Sequence, residues 1–168
     1  MMPVRIEEPA DFPAIHAVNR AAFESALEAN LVDALRARAA EAISLVAEEG
    51  GTIVGHIMFS PVRLTSVDGP RAMALAPMAV MPARQRVGIG SALVRNGLVE
   101  CQRRGVEAVF VVGHPEYYPR FRFRRASEFG IACEFEVPDD AFMALELVKD
   151  ALRGRGGKVF FHEAFSAT

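Results

Sequence analysis

The chain has 168 residues, of which 51% are hydrophobic and 24% charged, an ordinary globular balance that argues against wholesale disorder. Its 19 Lys and Arg against 21 Asp and Glu leave a formal net charge of −2, which disfavours nucleic acid as the main partner. Two cysteines, Cys101 and Cys133, are too few for a disulfide framework or a four-cysteine zinc site, and both read as packing residues.

The length predicts a single domain over residues 1–168. The longest apolar run, residues 73–81, falls well short of the roughly 20 residues that span a bilayer, so no membrane association is expected. Glu7, Glu8 and Pro9 stand where a signal peptide would carry its apolar stretch, and the expected location is cytoplasmic.

Residues 4–7 read as a short extended segment. Asp11 reads as a helix N-cap, or the residue just before the first turn, and Phe12, Ile15, Val18 and Ala22 recur at helical spacing. From Ser25 the pattern restarts, with Leu27, Leu31 and Leu35 on one face of a second helix. The period then changes: residues 43–47 and 52–60 predict a hairpin around Glu48-Glu49-Gly50-Gly51, its second strand able to run past Pro61 to Leu64. After a turn at 66–70, residues 73–81 form a strand apolar on both faces and therefore central. Pro77 inside it lacks a ladder donor, and a bulge there would resolve the conflict.

A polar connection at 82–90 leads into a helix over 89–104 with Gly105 just past its end. Residues 108–112 form a strand and 113–115 a break. Residues 116–121 suit a short helix with Pro115 in its first position, and 129–137 return to strand character. Pro138-Asp139-Asp140 turns the chain, 141–148 is open between helix and strand, 154–157 is a loop, and 158–162 is a last strand. This order describes a mixed α/β domain around one sheet.

The stretch that carries chemistry is Gln85-Arg86-Val87-Gly88-Ile89-Gly90, between a buried strand and an amphipathic helix. Two glycines let backbone N–H groups approach a ligand closely, and the first amides of a helix lack internal partners and carry partial positive charge. Arg84 and Arg86 add full charges, so the implied chemistry is diphosphate binding. A Walker loop would need Gly-Lys-Ser/Thr, which is absent. A dinucleotide fingerprint would need a small residue where Leu93 stands and an acid at the end of the next strand, which reads Phe110-Val111-Val112-Gly113.

A Gln/Arg-x-x-Gly-x-Gly/Ala loop between such a strand and helix resembles the acyl-CoA motif of the GCN5-related N-acetyltransferase (GNAT) superfamily. The preceding "LAPMAVMP" (75–82) resembles that family's fourth strand, and "PEYYPRFRF" (115–123) its later tyrosine segment. The two N-terminal helices, the hairpin and the closing "VPDDAFMALEL" resemble a bacterial branch of predicted N-acetyltransferases, so the likeness covers nearly the whole chain. It implies a mixed, mainly antiparallel sheet flanked by helices, with a splayed central strand pair.

The resemblance also implies acetyl-CoA as acetyl donor and a primary amine of a small molecule or protein as acceptor, the amine attacking the thioester directly through a tetrahedral intermediate. It implies that Gln85, Arg86, Val87, Gly88, Ile89, Gly90 and Ser91 hold the pyrophosphate. Met78, Ala79 and Val80 would run beside the pantetheine arm, with an N–H near Ala79 or Val80 as oxyanion donor. Tyr118 occupies the position of the thiolate-protonating tyrosine, with Tyr117 one residue away. Arg122 stands where the family usually has glycine, at a cost of about 1 kcal/mol if φ is positive there.

The run Arg120, Arg122, Arg124, Arg125 is either a phosphate or acidic-acceptor contact or a solvated strand edge. No acid occurs in residues 72–81, so the general base is open between His56, His114 and a water chain, while Glu24 and Glu28 are candidates for binding a cationic amine. His16, His56, His114 and His162 show no metal-ligand spacing, and no metal is expected. The alternative function is a non-catalytic acyl-CoA-binding or regulatory module on the same fold, and a homodimer is the commonest assembly if such domains associate.

Overall fold

The computed structural model describes residues 3–65 and 69–166, so the turn expected at 66–70 lies partly outside the described residues. These residues divide into two compact units, one of residues 3–60, 76–100 and 163–166, the other of 61–65, 69–75 and 101–162.

In the first unit β1 (Val4–Ile6) is followed by α1 (Phe12–Ala22) and α2 (Leu27–Arg38), then by β2 (Ile43–Glu49) and β3 (Thr52–Leu64), which belongs to this unit as far as Ser60. β2 pairs antiparallel with β1 on one side and β3 on the other. Gly50 and Gly51 both have positive φ (56° and 81°), the form a two-residue hairpin turn needs to match the strand twist, and Glu49 faces Thr52 across it. β4 (Ala72–Val80) enters this unit at Ala76, continues through Pro77, and has a cis Ala76–Pro77 peptide. α3 (Ile89–Arg103) follows and lies in this unit through Glu100.

β3 is covered on both faces. Met58 joins Ile15, Leu31, Val32, Leu35 and Val46 in one apolar cluster with α1 and α2. On the alternate positions, Cβ atoms added at Gly55 would press on Leu93 Cδ1 (2.9 Å) and Ile89 Cγ2 (3.0 Å), and one at Gly97 would overlap the Phe59 ring. From Gly55 to Phe59 the side-chain period of 2 thus sends even positions to α1 and α2 and odd ones to α3.

His56 is an even position, and it is completely buried. Asn19 Nδ2 donates to Ile15 O (3.0 Å) and lies 3.1 Å from His56 Nδ1, which makes Nδ1 the acceptor. Nε2 therefore carries the proton and donates to Ser44 Oγ (2.8 Å), and Ser44 Oγ donates to Glu7 Oε1 (2.6 Å). Arg36 closes the chain with a fork onto both Glu7 oxygens (3.0 and 2.8 Å). Burial holds the imidazole down at about 3, with Arg36 adding to the depression and Glu7 opposing it.

In the second unit, the first residues of β4 pair in parallel with β5 (Ala108–Val112), from Ala72↔Ala108 to Ala74↔Phe110. The pairing with β5 spans these three residues of β4, which itself runs on to Val80. β8 (Phe142–Glu146) lies antiparallel between β5 and the two-residue β6 (Arg124–Arg125). β7 (Ile131–Cys133) pairs in parallel with β9 (Gly157–Phe160), and β9 pairs antiparallel with Arg63 and Leu64 of β3. Phe110 and Phe142 stack at 5.7 Å in a core with Leu64, Ile131, Leu152 and Val159.

Several expectations are corrected here. Within the ambiguous segment 141–148, residues 142–146 form strand β8, because the backbone is claimed by neighbours on both sides. The strand expected at 129–137 shrinks to Ile131–Cys133: beyond it the Phe161 N–H donates to the Glu134 carboxylate (2.6 Å), in place of a backbone rung. The short helix expected at 116–121 is a 3-10 turn over Tyr118–Phe121, and Pro119 rather than Pro115 takes its early position. α3 ends as expected, with the Val106 N–H reaching Cys101 O (3.0 Å) and the Gly105 N–H reaching Gln102 O (3.1 Å). No helix among the described residues is long and apolar enough to cross a membrane.

The buried chain makes stability depend on pH with a definite sign. An unfolded histidine titrates near 6.5 and folded His56 near 3, so between those values the unfolded chain binds the extra proton. Stability is complete above pH 6.5 and is lost as pH falls. Glu7, whose Arg36 and Ser44 contacts outweigh its burial, and Asp11, held by Arg5, are also lowered and add to the loss below their ordinary values of 4.5 and 3.8. The thermal midpoint, followed by circular dichroism, should therefore fall from pH 7 to pH 5, where His56 acts largely alone. A His56→Gln variant should be less stable at pH 7 but flatter over that window.

Candidate functional site

β4 ends at Val80, a 3-10 turn over Pro82–Arg84 follows, and α3 begins at Ile89. Between them Gln85 is extended, Arg86 has φ 66°, and Gly88 has φ 94°, with Val87 at negative φ. Alternating φ sign turns successive N–H groups toward a common point, a concavity suited to anions. The Ala92 N–H makes a helical bond to Gly88 O (3.1 Å), which leaves the amides of Ile89 and Gly90 without a carbonyl inside the helix. Gln85 Nε2 donates to Val80 O (3.1 Å) and ties the loop back to the strand.

The charges sort themselves within this loop. Arg84 is paired with Glu49. Arg86 is exposed, and no carboxylate pairs with it among the described residues. An arginine at positive φ costs about 1 kcal/mol relative to glycine, so the loop holds an unbalanced cation at some expense in strain. Converging N–H donors, a helix start and one uncompensated guanidinium can together hold a multivalent anion such as a diphosphate. An open cavity of about 620 Å³ borders the loop, lined by Gly50, Arg84, Val87, Gly88 and Ala92 among others. On β4, Ala79 is buried, Met78 and Val80 are half-buried, and Ser91 lies in the first turn of α3.

Tyr118 lies in the other unit, at the start of the 3-10 turn. It is 7% exposed and sits among the rings of Tyr117 (5.1 Å), Phe123 (5.6 Å) and Phe121 (6.4 Å). Burial pushes its phenol up to about 12, with a further contribution from Tyr117, so it is protonated at neutral pH and able to give a proton. Tyr117 is half-buried, with Arg120 over its ring at 4.5 Å.

Arg122 has φ 75° and ψ 16°, so the residue in the usual glycine position does adopt the left-handed form. The arginine run does not act as one patch. Arg120 Nε donates to Tyr117 O, Arg124 pairs with Glu128 (2.6 Å) and Arg125 with Asp139 (3.5 Å).

His56 is corrected as a candidate base. It has no exposure, both ring nitrogens are engaged, and its low pKa keeps it neutral and unreceptive to a proton at neutral pH. His114 is exposed, with its backbone oxygen accepting from the Tyr117 N–H (3.1 Å). Glu24 is exposed, whereas Glu28 is half-buried with Oε1 out of solvent and without a hydrogen-bond partner. His16 contacts Asp33 (3.0 Å), Cys101 is buried in α3, and Cys133 ends β7 half-buried. No group of three or more potential metal ligands occurs among the described residues.

Two features escaped the sequence. The chain His56–Ser44–Glu7–Arg36 joins residues 12 to 37 positions apart, which no local pattern signals. Gly113 lies against the Tyr118 ring, and only its place just after a buried strand hinted at a close approach.

The model of the acetyltransferase (GNAT) family matches residues 11–123. An Escherichia coli (strain K12) protein named as the uncharacterized N-acetyltransferase YhbS is 36% identical over 166 residues, covering 98% of this chain and 99% of its own. The crystal structure of YhbS from Escherichia coli in complex with CoA aligns with a TM-score of 0.91 at 35% identity, covering 98% of this chain and 92% of that one. That of a GNAT family acetyltransferase from Brucella melitensis in complex with acetyl-CoA aligns with a TM-score of 0.80 at 35% identity, covering 98% of each chain. The fold is theirs: mixed α/β, with an open, mostly antiparallel sheet and three helices.

The left-handed arginine has a measurable consequence. Replacing Arg122 by Gly removes the Cβ strain but frees the unfolded chain, a net gain of about 0.5–1 kcal/mol. The thermal midpoint should rise by roughly 2 °C. Arg122→Ala, which keeps the Cβ, should show no such rise.

Proposed function

Since the chain belongs to the acetyltransferase (GNAT) family, we propose that it is an enzyme that moves an acetyl group from acetyl-CoA to a primary amine of a small molecule or protein. The observation that carries this reading is the loop itself, with φ alternating at Arg86 and Gly88 beside an unpaired guanidinium, in a chain 35% identical to a relative crystallised with CoA. Bound acetyl-CoA supplies a thioester carbonyl open to attack by an amine.

The residues then take separate tasks. Gln85, Arg86, Val87, Gly88, Ile89, Gly90 and Ser91 hold the diphosphate through backbone N–H groups and the Arg86 charge. Met78, Ala79 and Val80 lie along the pantetheine arm, and an N–H of Ala79 or Val80 faces the carbonyl oxygen as charge develops there. Tyr118 gives its proton to the departing sulfur, and burial keeps its phenol in the protonated form that this step needs. With His56 engaged in its own chain and no acid in residues 72–81, the amine's proton leaves by way of water or through His114. Glu24 and Glu28 remain candidates for holding a cationic acceptor.

Calorimetric titration should give micromolar acetyl-CoA binding, about −8 kcal/mol, with ATP and NAD showing none. Arg86→Ala should weaken it about tenfold through loss of a charge-assisted contact. Equal affinity in the variant, or preference for ATP or NAD, would sink the loop assignment. A panel of amines (spermine, lysine, kanamycin and a short peptide) followed by thiol release separates enzyme from acyl-CoA-binding module, since a module binds and releases no thiol. Tyr118→Phe should lower kcat by roughly 10²-fold while leaving acetyl-CoA affinity within about twofold; undiminished turnover removes Tyr118 from the acid's role.

A further inference from the structure

We propose that Gly113 is the positioning residue of this site, the absence of a side chain there fixing where the Tyr118 phenol lies. The proposal rests on the reading of Tyr118 as the proton donor. A Cβ at position 113 would overlap Cε2 of the Tyr118 ring and approach its Cδ2 (3.0 Å) and Cζ (3.4 Å). These are the three nearest atoms, so a side chain here meets the phenol ring first. Close approach to another side chain, rather than backbone freedom, explains the glycine: its φ lies outside the left-handed range, and alanine can adopt the same backbone.

The backbone is not free to give way. Val112 pairs with Phe142 in the β5–β8 ladder, and the Gly113 N–H donates to Ala141 O (2.9 Å), which carries the pairing one step beyond the strand. The ring is therefore the part that moves. It is also clamped by Tyr117, edge-on at 87°, and by Phe123, edge-on at 72°. A methyl group added under a clamped ring drives it out of its buried seat, and the hydroxyl at the far end of the ring is displaced with it.

The composition supplies a clean probe. The chain has two tyrosines and no tryptophan, so a Tyr117→Phe background leaves Tyr118 as the sole chromophore of its kind. In that background, where burial alone acts on the phenol, alkaline titration of tyrosinate absorbance should place Tyr118 above the ordinary 10, and Gly113→Ala should move the midpoint back toward 10 as the ring gains solvent. Gly113→Ser, which presents the same Cβ to the ring, serves as a second variant, and circular dichroism reports whether each keeps the fold. An unmoved midpoint in folded variants overturns the proposal.

Thiol release from acetyl-CoA, with whichever panel amine serves or with water as acceptor, reads the catalytic consequence. Gly113→Ala should lower kcat about tenfold or more in the Tyr118 protein, with acetyl-CoA affinity within about twofold, and should add nothing in a Tyr118→Phe background. An equal loss in both backgrounds means that Gly113 acts on general packing and overturns the positioning role. Full turnover of Tyr118→Phe alone overturns the parent reading instead. The titration still decides on Gly113 in that case.

Discussion

A strand covered on both faces leaves its polar side chains no solvent, and β3 is the strand around which the first unit is arranged. Its even positions meet α1 and α2, so the one ionisable side chain there, His56, must be neutral and fully bonded. Its odd positions meet α3, and the bare backbone of Gly55 together with Gly97 lets that helix come close. How near α3 lies to β3 settles where its first turn begins. The same glycine faces the Ala79 carbonyl of β4, so strand end and helix start are set against one residue, and the loop between them inherits its shape.

Strain and unbalanced charge coincide in this protein. Arg86, Arg122 and Asp150 are the residues other than glycine with positive φ among those described, and the two arginines fall in the two segments to which chemistry is attributed. Elsewhere arginines are spent on structure: Arg36 on Glu7, Arg5 on Asp11 and Glu48, Arg84 on Glu49, Arg124 on Glu128. A left-handed arginine that faces solvent without a carboxylate contributes nothing evident to stability. Observed strain of this kind is grounds for looking to function.

The tyrosine and the histidine show opposite uses of burial. Desolvation penalises the charged form in both cases, which raises a phenol and lowers an imidazole. For Tyr118 the neutral form is the one that holds a transferable proton, and burial keeps the side chain in that form. For His56 the neutral form is a bond-making link between Asn19 and Ser44, and its basicity is surrendered. The same physical effect thus keeps one candidate for proton chemistry and discards the other.

The sequence by itself determined the elements whose residues carry a period. The 3-and-4 spacing of Phe12, Ile15, Val18 and Ala22 and the four-residue spacing of Leu27, Leu31 and Leu35 appear as α1 and α2, and Gly50-Gly51 closes the hairpin where the composition places it. The glycine loop before α3 was legible too, because glycine placement and a helix start are local facts. Tertiary structure alone decided that residues 142–146 are strand, that Arg124 and Arg125 form an edge, that His56 is a structural link, and that Gly113 lies against the Tyr118 ring. A periodic pattern records which face of a segment is buried. It does not record what lies opposite, and each of these outcomes depends on a partner brought in from elsewhere in the chain.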